Sequence, residues 1–120
     1  MAVAAHVLVV LVAVVHLYFL VLEMFLWQTA KVRKTFGTTE EFAKASAVLA
    51  ANQGLYNGFL ASGLIFALIA GGAVAFPMTV FLLGCVIVAG IYGATTVSPR
   101  ILLVQALPGA LALVLTVLAE

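Results

Sequence analysis

Four long apolar stretches dominate the chain, and short polar connections separate them. The stretches cover residues 3–28, 47–70, 78–96 and 101–119. A helix crosses the hydrocarbon core of a bilayer with about 20 apolar residues, so each stretch is long enough to span it. Charged residues make up 8% of the chain, whereas a soluble domain carries about a quarter. The sequence therefore predicts an all-α integral membrane protein, a four-helix bundle with the lipid bilayer as its surroundings.

The connections leave no room for a separate soluble domain, so we expect residues 1–120 to form a single four-span domain. The first stretch lacks a basic start and is followed by Trp27 and Lys31 rather than by a small-residue cleavage site. We therefore interpret it as a retained helix and not as a signal peptide. The single cysteine, Cys85, excludes an internal disulfide and is typical of a small buried apolar residue.

The basic residues predict the orientation of the chain. All five lie in the first and third connections, and they are Lys31, Arg33, Lys34, Lys44 and Arg100. Cytoplasmic loops carry the excess of Lys and Arg, so these connections are predicted to face the cytoplasm of a plasma membrane, with both termini outside. A nucleic-acid partner is not indicated, because anionic lipid and topology explain cations beside a membrane.

The first connection also contains the predicted start of the second membrane helix. Thr38 and Glu41 have the spacing of a capping box, and good helix formers follow, so a long helix is expected to begin near Thr39 and continue from the cytoplasm into the membrane. The alternative is a short surface helix that breaks before Ala47.

Polar side chains from all four predicted helices fall at one depth, in the half of the membrane nearest the basic connections. Counting about 1.5 Å of rise per residue from Ala30 and Ser46 places Glu23 and Asn52 at a similar depth. The third and fourth helices contribute Tyr92, Thr95 and Gln105. A carboxylate inside a membrane is costly, so Glu23 is the candidate catalytic residue. The alternative is a structural Glu23 that hydrogen-bonds to Asn52 or Gln53.

The second membrane helix carries two sets of small or polar residues. Its amide and phenol side chains cover one broad arc, and they are Asn52, Gln53, Tyr56 and Asn57. We interpret them as ligand-binding groups that face a shared interior, although interhelical hydrogen bonding alone is the alternative for each amide. The small residues on the adjoining arc recur every four positions and are Gly54, Gly58 and Ser62. This spacing lets another helix approach closely.

Two further residues complete the candidate ligand-binding set. His16 shares a face with Glu23 but lies about 10 Å away along the helix, so a group such as Asn57 or a ligand would have to lie between them. A lone histidine among apolar neighbours is more often a core residue than a metal ligand. Gln105 precedes Pro108, which frees a backbone carbonyl and predicts a bend that opens space beside the polar layer. No spacing typical of a metal or haem site occurs, and the sequence assigns no cofactor.

The sequence resembles a family of small bacterial four-helix membrane proteins that is known as a domain of unknown function. The resemblance rests on residues 52–64 and 105–113 and on a set in the first helix, which is His16, Tyr18, Glu23, Met24, Phe25 and Trp27. It covers nearly the whole chain and implies a family without an activity.

A more distant similarity is to the membrane-associated eicosanoid and glutathione metabolism family. It rests on Glu23, on the basic connection with Arg33, Lys34 and Phe36, on Asn52, and on residues 100–108. That family consists of four-helix trimers with a glutathione site between subunits, so the similarity implies a trimer. Its arginines and second Glu are replaced here by Ala47, Val48, Leu49 and Leu55. The charge partners of glutathione are therefore missing.

Taken together, the residues favour a homo-oligomeric membrane protein that binds a small lipophilic molecule arriving from the bilayer. Glu23 as acid or base would allow the protein to modify that molecule, and whether it is an enzyme stays open. The alternative is a non-catalytic subunit or scaffold whose polar layer only fixes helix packing. Transport is less favoured, because four short helices without an internal repeat offer no wide water path.

Overall fold

The computed structural model describes residues 2–120, and this range contains helices and no strand. The helices are α1 (Ala2–Met24), α2 (Ala30–Phe36), α3 (Glu40–Ala70), α4 (Gly72–Thr96), a π-helix (Leu102–Ala106) and α5 (Leu107–Ala119). The predicted all-α class is confirmed.

Four helical segments are long and apolar enough to cross a membrane: Val3–Met24, Glu40–Ala70, Gly72–Thr96 and Leu102–Ala119. Their outward surfaces are strongly apolar. Val48 is 82% exposed, Ile69 79% and Phe81 70%. Water would make such a surface an aggregation hazard, whereas lipid tolerates it. The helical bundle is therefore compatible with a multi-pass membrane protein.

The first connection holds a helix that was not predicted, and α1 ends four residues before the predicted end at Gln28. Helix α2 begins after Thr29, whose hydroxyl accepts a hydrogen bond from the Val32 amide at 3.4 Å. It ends at Phe36 and is capped by Gly37, whose φ of 68° is the left-handed conformation that favours glycine. These two caps define a helix of only seven residues.

Helix α3 has 31 residues, which confirms the predicted long second membrane helix. Its cap is Thr39 and not the predicted Thr38, because the Thr39 hydroxyl accepts a hydrogen bond from the Phe42 amide at 3.1 Å. The Thr38 hydroxyl is buried without a hydrogen-bond partner among the described residues. The helix continues past Ala47 without a break, so the short surface helix is wrong.

The turn between α3 and α4 is shorter than predicted. Gly71 and Gly72 take positive φ values of 60° and 57°, which a glycine pair adopts without steric strain. Helix α4 then begins at Gly72 and includes Pro77 in its interior. Residues 72–77 are therefore helical and not part of the connection.

The predicted disturbance near Pro108 takes the form of a π-helix. Pro108 has no amide hydrogen, so the carbonyl of Val104 loses its usual α-helical donor. The Leu107 amide bonds to the Leu102 carbonyl, five residues earlier, and Gln105 lies within this segment. Such π segments are rare and often occur at functional positions.

The chain divides into two compact units, one with the residues up to Val15 together with Leu60–Glu120, and one with His16–Phe59. The first unit contains a four-helix core. Its fully buried members come from all four long segments and are Val9, Val12, Ala13, Ala61, Leu64, Leu83, Val86 and Ala112. The prediction of a single domain is not tested by this division and stays a prediction.

The second unit contains the end of α1, helix α2 and the first part of α3. Its buried apolar side chains come from all three helices and are Leu22, Val32, Ala43 and Ala50. The predicted catalytic residue Glu23 belongs to this unit, together with every predicted ligand-binding residue except Gln105.

Candidate functional site

Glu23 and Asn57 form the polar centre of the second unit. The Asn57 side-chain nitrogen Nδ2 donates a hydrogen bond to Oε1 of Glu23 over 2.5 Å. Asn57 is buried, whereas Glu23 is half-buried. A hydrogen bond of this kind joins α1 to α3 and orients the carboxyl group.

The two helices approach closely on either side of this bond. A Cβ atom added at Gly54 would lie 2.7 Å from Cγ of Met24 and 3.2 Å from the Leu20 carbonyl oxygen. At Gly58 it would lie 2.7 Å from Cδ1 of Leu20. At Gly54 a backbone oxygen is among the atoms in the way, so only a hydrogen fits there, whereas at Gly58 the Leu20 side chain alone would have to move. The predicted glycine groove is therefore confirmed at Gly54 and Gly58, and it brings Glu23 within reach of Asn57.

The third residue of the predicted groove, Ser62, is exposed, and Ala61 is fully buried instead. The reason is the helical period. Positions 54, 57, 58 and 61 follow the spacing of one helix face, and position 62 turns away from it. Asn57 therefore lies on the face that carries the glycines.

The other polar residues of α3 point elsewhere. Asn52, Gln53 and Tyr56 are exposed in the chain, and the Tyr56 ring packs edge-on against Phe59 with 5.6 Å between ring centroids. Of these four side chains only Asn57 is buried within the chain, so a shared interior for all four stays a prediction. Asn52 and Tyr56 lie about half a turn away from the face of Gly54 and Gly58.

His16 lies two turns before Glu23 and is 1% exposed. Its ring meets Phe19 edge-on, with 5.9 Å between ring centroids. This burial fits the interpretation of His16 as a packed core residue.

Gln105 lies in the π-helix of the first unit and is half-buried. The predicted polar layer that would join Gln105 to Glu23 remains a prediction. Among residues 2–120, no three His, Cys, Asp or Glu side chains come together in a way that could hold a metal ion.

One contact beside Glu23 was missed by sequence reasoning. Trp27 follows the end of α1, and its indole nitrogen donates a hydrogen bond to the Ser46 hydroxyl over 3.0 Å. That hydroxyl donates in turn to the Phe42 carbonyl over 2.7 Å. The Trp27 ring also packs on Phe36, 5.1 Å between centroids. These contacts tie the turn after Glu23 to α2 and α3. The sequence signal is Ser46, which in the sequence serves only as the reference point for membrane depth.

The site can bind a hydrogen-bond donor. A carboxylate accepts about four hydrogen bonds, and the structure records one to Glu23 from the described residues. The half-buried side chain leaves its second oxygen, Oε2, for another partner. Asn57 fixes the carboxyl group, so that partner would meet an oriented acceptor.

Comparison with known proteins places the chain in a family. Residues 10–117 match the family described as "Protein of unknown function (DUF1304)". The chain is also 32% identical over 107 residues to the uncharacterized protein YpaA of Lactococcus lactis subsp. lactis (strain IL1403), a match that covers 88% of this chain and 89% of that protein. No solved structure matches. The similarity to the eicosanoid and glutathione metabolism family is not shown by these matches. The chain belongs to the DUF1304 family of proteins of unknown function.

Proposed function

We propose that this protein binds a small lipophilic molecule at Glu23, within the membrane. The observation that carries the proposal is the hydrogen bonding and partial burial of the Glu23 carboxyl group. One oxygen accepts from buried Asn57, and the side chain as a whole is only half-buried. Carboxyl groups in spanning segments are costly and mark functional sites by default.

The chemistry follows from this arrangement. Asn57 holds the carboxyl group in one orientation, so its second oxygen can accept a hydrogen bond from a ligand hydroxyl or amine. A positioned carboxyl group can also act as an acid or base on such a ligand. The ligand would enter from the bilayer, because the surfaces around the spanning helices are apolar.

A homo-oligomer is part of the proposal. Asn52 and Gln53 expose amide groups on the outside of a single chain, and amides that face hydrocarbon lack hydrogen-bond partners. A second copy could supply them, since an amide both donates and accepts. The resemblance stated above implies three copies.

The second candidate function is a non-catalytic membrane subunit or scaffold. It is favoured by the close packing at Gly54 and Gly58, because the bond between Glu23 and Asn57 could then serve only to fix the two helices. The binding function requires a ligand at the Glu23 oxygen that Asn57 does not occupy, whereas the scaffold requires none.

Replacing Glu23 by Gln separates them. Gln keeps an oxygen that accepts from Asn57 but removes the carboxylate, so the fold should persist while a bound ligand is lost. We expect lipophilic molecules that co-purify with the wild type, detected by mass spectrometry, to fall about 10-fold or more in Glu23→Gln. The matched control is Glu41→Gln, which changes an exposed carboxylate in the first turn of α3.

The Glu41→Gln control decides how a loss of co-purified molecules from Glu23→Gln is interpreted. Retention by Glu41→Gln at the wild-type level, together with an unchanged unfolding midpoint for Glu23→Gln, supports the binding function. Equal retention by all three proteins, or no co-purified molecule in any of them, supports the scaffold.

We also propose that the basic connections face the cytoplasm of the plasma membrane. In a Cys85→Ala background, Ala73→Cys should react with a membrane-impermeant thiol reagent in intact cells, and Glu41→Cys should react only after the cells are opened. Both native residues are exposed, so access to the side chain is not the limiting factor. The reverse pattern would show that the orientation is wrong.

A further inference from the structure

A cleft opens at one end of the first unit, where α1 and α4 begin and α3 and α5 end. Its volume is about 320 Å³, and all four spanning helices contribute to its lining. Apolar lining residues include Val9, Leu68 and Phe76. Small-molecule pockets begin at about 300 Å³, so the cleft has the size for a small ligand and not for a whole phospholipid.

Thr79 is the unusual residue of this lining. It is 5% exposed, among the most buried polar residues of the chain. Threonine hydroxyls inside helices commonly donate to a carbonyl three or four residues earlier. Thr95, Thr96 and Thr116 do so, at 2.7–2.8 Å. No hydrogen bond of the Thr79 hydroxyl to a described residue is recorded, so this hydroxyl is available to a ligand in the cleft.

The remaining polar lining groups favour a ligand that donates hydrogen bonds. They are His6, Thr116 and Glu120. The hydroxyl hydrogen of Thr116 is already given to the Ala112 carbonyl, so its oxygen can only accept. Among the described residues of the lining, Glu120 alone carries a formal charge, and that charge is negative. Phe76 adds an aromatic ring, whose face attracts cations.

We infer that this cleft binds a small amphiphilic amine in its ammonium form. The ammonium group donates to the Thr79 hydroxyl and the Glu120 carboxylate beside the Phe76 ring, and the apolar body lies against Val9 and Leu68. The residues of this site belong to the first unit and Glu23 to the second. The inference therefore does not depend on the function proposed for Glu23.

The test is direct binding of 2-phenylethylamine to the purified full-length protein in detergent, with protein-free micelles subtracted. We expect Thr79→Val, which removes the hydroxyl but keeps the branched shape, to weaken binding about 10-fold. Glu120→Gln should weaken it about 3-fold, because the carboxylate is exposed. The matched control is Thr96→Val. It removes a hydroxyl that donates to the Tyr92 carbonyl, and this variant should bind the amine like the wild type.

The neutral analogue 2-phenylethanol tests the charge of the ligand. It should bind the wild type more weakly than the amine and should not respond to Glu120→Gln. Equal binding of the amine to the wild type and Thr79→Val, or no binding above that of empty micelles, would overturn the inference. If Thr79→Val does not fold, the response of the amine to Glu120→Gln decides: a loss supports the site, and no loss overturns it.

Discussion

Replacing Gly90 by Ala should lower the apparent unfolding midpoint by about 5 °C or more, the largest effect that we expect from adding one methyl group. The added Cβ would lie 2.7 Å from the amide nitrogen of Ala106, 2.8 Å from its Cβ and 2.9 Å from its Cα. Two of these three atoms are backbone atoms of the π-helix, which cannot rotate away. Helix α4 and the π-helix would therefore have to separate, at a cost of about 3 kcal/mol.

Gly84 is the matched control in the same helix. A Cβ added there meets nothing within 4 Å, and alanine is favoured over glycine in a helix interior by up to about 1 kcal/mol. Gly84→Ala should therefore keep or raise the midpoint, measured at the same scan rate in the same detergent. An equal response of the two variants would show that the close contact at Gly90 does not exist.

Replacing Asn57 by Leu should destabilise the protein by about 2 kcal/mol, because it removes the donor that bonds to the Glu23 carboxyl group inside the membrane. Glu23→Leu should also destabilise, because it leaves the buried Asn57 amide without its acceptor. In the double variant both polar groups are absent, so neither is left buried without a hydrogen-bond partner. Its loss of stability should be smaller than the sum of the two single losses by about 1 kcal/mol or more.

The midpoint of unfolding by a denaturing detergent, compared among the four proteins, measures this coupling. Glu23→Gln serves as the mild variant, since its side-chain oxygen still accepts from Asn57. Additive losses in the double variant would mean that the two side chains do not interact in the folded protein.

The spanning helices and the close approach at Gly54 and Gly58 were predictable from the sequence. The thickness of the bilayer sets the length of the apolar stretches. The close approach of two helices requires small residues at every fourth position. The effect of Pro108 was also predictable, although a bend was expected where the structure has a π-helix.

Glu23 bonds to Asn57, the residue expected between His16 and Glu23, and not to Asn52 or Gln53, the partners that depth predicts for a structural Glu23. Depth counted from Ala30 assumed that the first helix runs to Gln28, whereas it ends at Met24. Depth also does not tell which side of a helix a residue occupies. Asn57 follows Gly54 by three residues, so it shares the face that contacts α1, whereas Asn52 does not. Placing the amides on the helix relative to the glycines favours Asn57 over Asn52 as the partner of Glu23.

Helix α2 was missed for a different reason. Its seven residues are too few to show a helical period, and only its caps define it. Thr29 and Gly37 are the signal, since a threonine before and a glycine after such a segment are typical helix ends. Trp27, which bonds to Ser46, also packs on Phe36 of this helix.

An experimental density map of the protein, purified from its native membrane without exchange of bound lipids, tests the proposed role of Glu23 most directly. We predict density that belongs to no protein residue within hydrogen-bonding distance of the Glu23 carboxyl group, at the oxygen that Asn57 does not occupy. The same map of Glu23→Gln should lack that density while the helices stay in place. A wild-type map in which Glu23 contacts only Asn57 and other protein groups, with nothing else beside it, would contradict the binding function.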